Sequence, residues 1–87
     1  MPRPRLHLIS SAVVTTLPGR EAEISGIVAA MPGVEVAARG RGKVVIVLEG
    51  GSAGEVGDRL TAIAAMDGVV SANMVFEHVE ELEATTP

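Results

Sequence analysis

The spacing of apolar residues along the chain changes from element to element. Leu6 to Thr16 is rich in valine, isoleucine and threonine and predicts a first strand. Beyond it, Ile24, Ile27, Val28 and Met31 fall at i, i+3, i+4 and i+7, which lines one helical face for burial. Pro18 at the start of that stretch and Glu21 and Glu23 in its first turn suit the positive end of a helix. Val34 to Arg39 returns to an extended pattern, Gly40-Arg41-Gly42 supplies hairpin turn chemistry, and Lys43 to Glu49 forms the returning strand. Ser52 and Glu55 have the spacing of a capping box. Val56, Leu60, Ile63 and Ala64 then stripe a second helix, and Val69 to His78 is the last strand.

An internal echo organises these elements. Met31-Pro32-Gly33-Val34 recurs as Met66-Asp67-Gly68-Val69, each time after a helix and before a strand. Glycine there suits the left-handed residue that ends a helix. Each copy closes one βαβ unit. Two such units joined by a hairpin predict the α+β, ferredoxin-like split βαβ fold: order βαββαβ, a four-stranded antiparallel sheet, and two helices on one face. The expected domain is 1–79, followed by an acidic disordered tail at 80–87. Gly26 and Gly57 inside the helices each cost about 1 kcal/mol relative to alanine, which predicts close packing against them.

Composition narrows the function. At 87 residues the chain is one small domain. Without cysteine it has no disulfide frame, thiolate metal site or thiol nucleophile. Residues 1–43 carry six bases and three acids, and 44–87 one base and eight acids. That asymmetry disfavours nucleic acid and favours a cationic peptide. Arg3 and Arg5 before Leu8 and Ile9 imitate a secretory signal, but His7, Ser10 and Ser11 break the apolar run and Thr15, Thr16 and Pro18 end it. The segment reads better as a strand. No apolar run reaches the length of a membrane span, so no membrane partner is expected.

Period-two alternation assigns faces. Val44, Ile46 and Leu48 are expected beneath the helices, with Val34 and Val36 from the second strand; the pattern of the first strand is ambiguous, and Ala12 and Val14 inward would put Ile9, Ser11, Val13 and Thr15 outward. Val70, Ala72, Met74 and Phe76 are the expected core set of the last strand. The uncovered face then carries Ile9, Ser11, Val13, Thr15, Lys43, Val45, Val47, Val69, Ser71, Asn73 and Val75, together with Glu35, Ala37, Arg39, Glu49 and Glu77. Ile9, Val13, Val45, Val47 and Val75 form an apolar strip rimmed by the carboxylates Glu35, Glu49 and Glu77. Such a strip has the look of an interaction surface for a peptide or protein; the plainer alternatives are that it covers itself in a weak homodimer or consists of single exposed aliphatics of no consequence.

A family resemblance spans nearly the whole chain. Ile9-Ser10-Ser11-Ala12-Val13-Val14, Met31-Pro32-Gly33-Val34-Glu35-Val36, Gly42-Lys43-Val44-Val45-Ile46-Val47-Leu48-Glu49 and Asp67-Gly68-Val69-Val70-Ser71-Ala72-Asn73-Met74-Val75-Phe76 closely resemble the NapD family. Their order, spacing and total length carry the match. The resemblance implies a cytoplasmic assembly chaperone, not an enzyme, for the periplasmic nitrate reductase catalytic subunit. It implies binding of that subunit's twin-arginine signal peptide, delaying export until the molybdenum cofactor is inserted, and no cofactor of the chaperone's own. Ile9, Ser11, Val13, Val45, Val47, Val75, Glu35, Glu49 and Glu77 are the residues we expect to contact the peptide. Phe76 stands where family members often have tyrosine, so ring packing is retained and the phenolic hydroxyl is lost.

Other constellations read more plainly as surface. His7 and His78 with Glu77 offer metal-ligand chemistry, but histidines at strand ends are ordinarily solvated, and no metal is expected. Arg39-Gly40-Arg41-Gly42-Lys43 has the composition of an anion-binding nest and equally that of a basic hairpin tip. The central strands lack aromatics to stack bases, which argues against RNA. Ser10, Ser11 and Thr15 have no catalytic partner, so no catalytic residue is assigned. A small-molecule-sensing regulatory domain of the same fold is the alternative from another class.

Overall fold

The computed structural model describes the backbone of residues 5–82 and the side chains of residues 7–79. Its elements are β1 (Arg5–Thr16), α1 (Glu21–Ala29), β2 (Val34–Gly40), β3 (Lys43–Gly50), α2 (Ala53–Ala64) and β4 (Val69–Leu82). The strands form one antiparallel sheet in the order β2-β3-β1-β4. Helix α1 lies over β2 and β3, and α2 over β1, β3 and β4. This is the expected ferredoxin-like βαββαβ arrangement. Strand β4 runs four residues past the expected His78, pairing with β1 as far as Arg5↔Leu82. Residues 80–82, placed in a tail by the sequence pattern, are therefore strand, and the rest of that segment lies outside the described residues.

Aliphatic side chains fill the interior. Leu8, Ala12 and Val14 from β1, Val44, Ile46 and Leu48 from β3, Ile24 and Val28 from α1, and Val56 and Ile63 from α2 are buried, with Val34, Val36 and Leu60 packed against them. Most are β-branched, so they lose little rotamer freedom on packing. Two expected stripe residues fall outside this core: Ile27 is half-exposed and Ala64 exposed. Each helix thus buries a narrower stripe than the i, i+3, i+4, i+7 pattern covers.

Both helix-ending echoes are the same turn. The Val34 N–H donates to the Met31 carbonyl at 3.2 Å, and the Val69 N–H to the Met66 carbonyl at 3.1 Å. Gly33 (φ +74°) and Gly68 (φ +89°) occupy the third position, where a type II turn requires positive φ. Each glycine lies beneath an arginine from the other half of the chain. Arg59 of α2 covers Gly33, donating to the Glu49 carbonyl at 2.6 Å and to Glu55 at 2.7 Å. Arg20, just before α1, covers Gly68 and pairs with Glu23 and Asp67.

The capping box forms with one change. The Glu55 N–H donates to Ser52 Oγ at 3.1 Å, while the Glu55 carboxylate accepts from Gly51 N–H rather than from Ser52. That amide and Arg59 hold the Glu55 carboxyl below its ordinary pKa. Glu21 is likewise lowered, by the backbone N–H groups of Glu21 itself and of Gly42.

Gly26 and Gly57 do not have the expected close neighbours: a Cβ built on either meets no other atom within 4 Å. With helical backbone and open space, Gly26→Ala and Gly57→Ala should each stabilise the domain by about 0.4–1 kcal/mol. Thermal melts should rise by roughly 4–8 °C per kcal/mol for a domain of this size. A lowered melting temperature in either variant would contradict this assignment.

Candidate functional site

Directly opposed residues of an antiparallel ladder point to the same side of the sheet, so the registers map the face away from the helices. One row is Ala38, Val45, Val13 and Asn73; the next is Glu35, Val47, Ser11 and Phe76. Flanking them are Lys43, Thr15 and Ser71 towards the hairpin, and Glu49, Ile9 and His78 towards the other end. Ile9, Ser11, Val13, Val45 and Val47 are partly exposed, while their chain neighbours on β1 and β3 from Leu8 to Val14 and Val44 to Leu48 are buried beneath the helices. Seven of the nine expected residues thus share one surface: Ile9, Ser11, Val13, Val45, Val47, Glu35 and Glu49.

Two do not, and both misplacements arise from one bulge. Between the pairs Ala12↔Met74 and Ser11↔Phe76, β4 holds an extra residue, Val75. The bulge reverses the alternation beyond it. Glu77 comes opposite Ser10 on the helix side, and Val75 is an exposed residue without a β1 partner. Phe76, expected in the core, instead opposes Ser11 on the open face and is 57% exposed. A second bulge leaves Val70 exposed rather than buried and turns Val69 inward against the core. Met74 faces the helix side but is only partly covered. In β2 the extra residue is Ala37, which carries Arg39 to the helix side opposite Val44. No composition cue distinguishes these bulged residues from regular strand, so alternation alone could not reveal them.

The face is polar at its ends and apolar in its middle. A shallow depression of about 190 Å³ is lined by Gly33, Val34, Glu35, Val47 and Glu49, with a carboxylate on either strand. His7 Nε2 approaches Glu49 to 3.8 Å. At the hairpin end a depression of about 370 Å³ is lined by Ala38, Arg39, Gly40, Arg41, Lys43 and Val45. Between them the valines, Ile9 and Phe76 offer contact area without charge. The arrangement suits a ligand with cations at one end and an apolar stretch beside them. The set His7, His78 and Glu77 is not brought together, since Glu77 points away from the two histidines, and among the described residues there is no group of three ligating side chains. Among the described residues no helix is long and apolar enough to cross a membrane.

A helix-backed antiparallel sheet with a bare, apolar and acid-ended face defines a binding module on the ferredoxin-like fold. The family model for the NapD protein matches residues 7–81, and the chain belongs to the NapD family. Chaperone NapD of Paracoccus pantotrophus is 50% identical over 74 residues, which are 85% of this chain; the chain spans 65% of that relative's length. The solution structure of the E. coli Tat proofreading chaperone protein NapD is similar to this one with a TM-score of 0.76 at 26% identity, covering 93% of this chain and 87% of that one.

Proposed function

We propose that the protein is a cytoplasmic chaperone whose open sheet face binds the twin-arginine signal peptide of the periplasmic nitrate reductase catalytic subunit. Binding there holds back export until molybdenum cofactor insertion and folding are complete. Family membership supports the reading, as does the relative described as a Tat proofreading chaperone. The observation that carries it is the uncovered strip Ile9, Val13, Val45, Val47 and Phe76, with Glu35 and Glu49 at one end. A twin-arginine leader has the matching order, two guanidinium groups and then an apolar stretch.

Magnitudes separate the roles of the two parts. Two or three aliphatic anchors contribute about 1.5–3 kcal/mol each on burial, against roughly 2–5 kcal/mol for ordering a flexible peptide. Exposed ion pairs add only about 0.2–1 kcal/mol each. Apolar contact therefore sets the affinity, and the carboxylates set register and encounter rate. The test is calorimetry with the leader peptide and a control in which both arginines are lysine. Saturable binding that weakens in the control supports the reading, and no binding to either peptide refutes it.

Glu49, half-exposed at the rim, gives a kinetic prediction. Glu49→Gln should slow association several-fold and flatten its salt dependence, with little change in dissociation. Stopped-flow association rates equal to wild type at low salt would remove Glu49 from the encounter surface.

A further inference from the structure

The two edges of the sheet are built differently. Strand β2 is short, bulged at Ala37, and bears Glu35 and Arg39, which are the usual devices that keep an edge from pairing. Strand β4 spans 14 residues. Its three carboxylates, Glu77, Glu80 and Glu81, all lie in the last six residues, and from Val69 to Phe76 it carries no charged residue. Its bulges bring no charge to the edge, because the extra residues are Val70 and Val75. Val70, Val75, Phe76 and Val79 are each more than half exposed, and Met74 is 39% exposed. Phe76 lies on the open face and Met74 and Val79 on the helix side. Apart from Glu77 the helix side of β4 is apolar, and its open face carries Ser71, Asn73, Phe76 and His78, so from Val69 to Phe76 the edge has no charged side chain to discourage pairing.

We propose that β4 pairs antiparallel with β4 of a second copy about a two-fold axis near the Met74–Val75 step, joining two sheets into one of eight strands. Three observations favour a second copy as the occupant. First, an antiparallel dyad there sets the carboxylate-bearing half of one β4 against the neutral half of the other: Glu77 comes opposite Ala72, with no carboxylate facing its equivalent. Second, the bulge at Val75 keeps the faces matched, since Phe76 and His78 on one side of it and Asn73 and Ser71 on the other all belong to the open face. Third, the five side chains exposed along this edge are apolar, and the flanks of them that a paired strand covers make a contact below the roughly 1,200 Å² at which specific, stable interfaces begin. That size gives a weak, concentration-dependent dimer. The axis is normal to the sheet, so both open faces lie on the same side and remain available, and the proposal stands independently of what they bind.

Sedimentation velocity over a wide concentration range tests it on the full chain. The expected result is a reversible monomer–dimer equilibrium whose dissociation constant rises at least about tenfold in Val70→Lys and in Val79→Lys. Both residues are exposed in the monomer, so circular dichroism should show an unchanged fold. Because the chain has no cysteine, single substitutions also report the contact directly. Val75→Cys should form an intermolecular disulfide under mild oxidation far faster than Ala38→Cys on the opposite edge. A monomer at every concentration would overturn the proposal, as would a dimer that tolerates both lysines, or equal cross-linking at the two edges.

Discussion

Val45→Asp should reduce leader-peptide affinity at least about 100-fold while leaving the domain folded. Val45 sits on the central strand β3, opposite Val13 on one side and Ala38 on the other, in the middle of the apolar strip. The substitution removes one anchor, about 1.5–3 kcal/mol, and places an unpaired carboxylate where the peptide would seal it from water, a further cost. Val13→Asp should behave in the same way. In the free protein both positions are partly solvated, so either carboxylate can hydrate and the core beneath is untouched. Val45→Thr, nearly the same shape, keeps strand preference and should give an intermediate loss, which separates lost contact from lost structure. Calorimetry alongside thermal melts provides the measurement. Wild-type affinity in both aspartate variants would mean that the peptide lies elsewhere.

Gly33→Ala should be the most destabilising of the single-methyl changes in this fold. Gly33 holds φ +74°, a region that costs other residues about 1–3 kcal/mol. An added Cβ would also meet the Glu49 carbonyl oxygen at 2.7 Å and the Arg59 guanidinium at 3.0 Å. The carbonyl is held in place, because Glu49 N–H donates to the Gly33 carbonyl at 2.8 Å and Arg59 donates to the Glu49 oxygen. Gly68→Ala carries similar strain (φ +89°), but its Cβ would meet only the far end of Arg20, a side chain that can swing away. Gly33→Ala should therefore lower the melting temperature more than Gly68→Ala. It should also weaken peptide binding, because the strand end it displaces carries Glu49. Equal destabilisation of the two variants would show that conformational strain, rather than the Glu49 contact, accounts for both.

The parts of this architecture legible in the residues are those governed by local rules. Ser52 and Glu55 announce the start of α2 because both side chains satisfy amides that nothing else reaches there. Val44, Ile46 and Leu48 declare their face because β3 has neighbours on both sides and no bulge among them. Strand β4 was less legible. Its alternation predicts Phe76 inward and Glu77 outward, and one extra residue at Val75 exchanges them. The glycines show the same division: Gly33 and Gly68 lie in turns whose chemistry is local, whereas the emptiness around Gly26 and Gly57 depends on how the helices settle on the sheet.

From composition and spacing alone follow the order of elements, the antiparallel sheet backed by two helices, and the mixture of valines and carboxylates left uncovered, since helix and strand periods and turn residues act over a few positions. Only the assembled sheet decided which side of it Phe76, Glu77 and Arg39 occupy and which edge is left unprotected. A bulge is a property of two paired strands, set when ladders of unequal length must share hydrogen bonds and a twisted core, and neither strand carries it by itself.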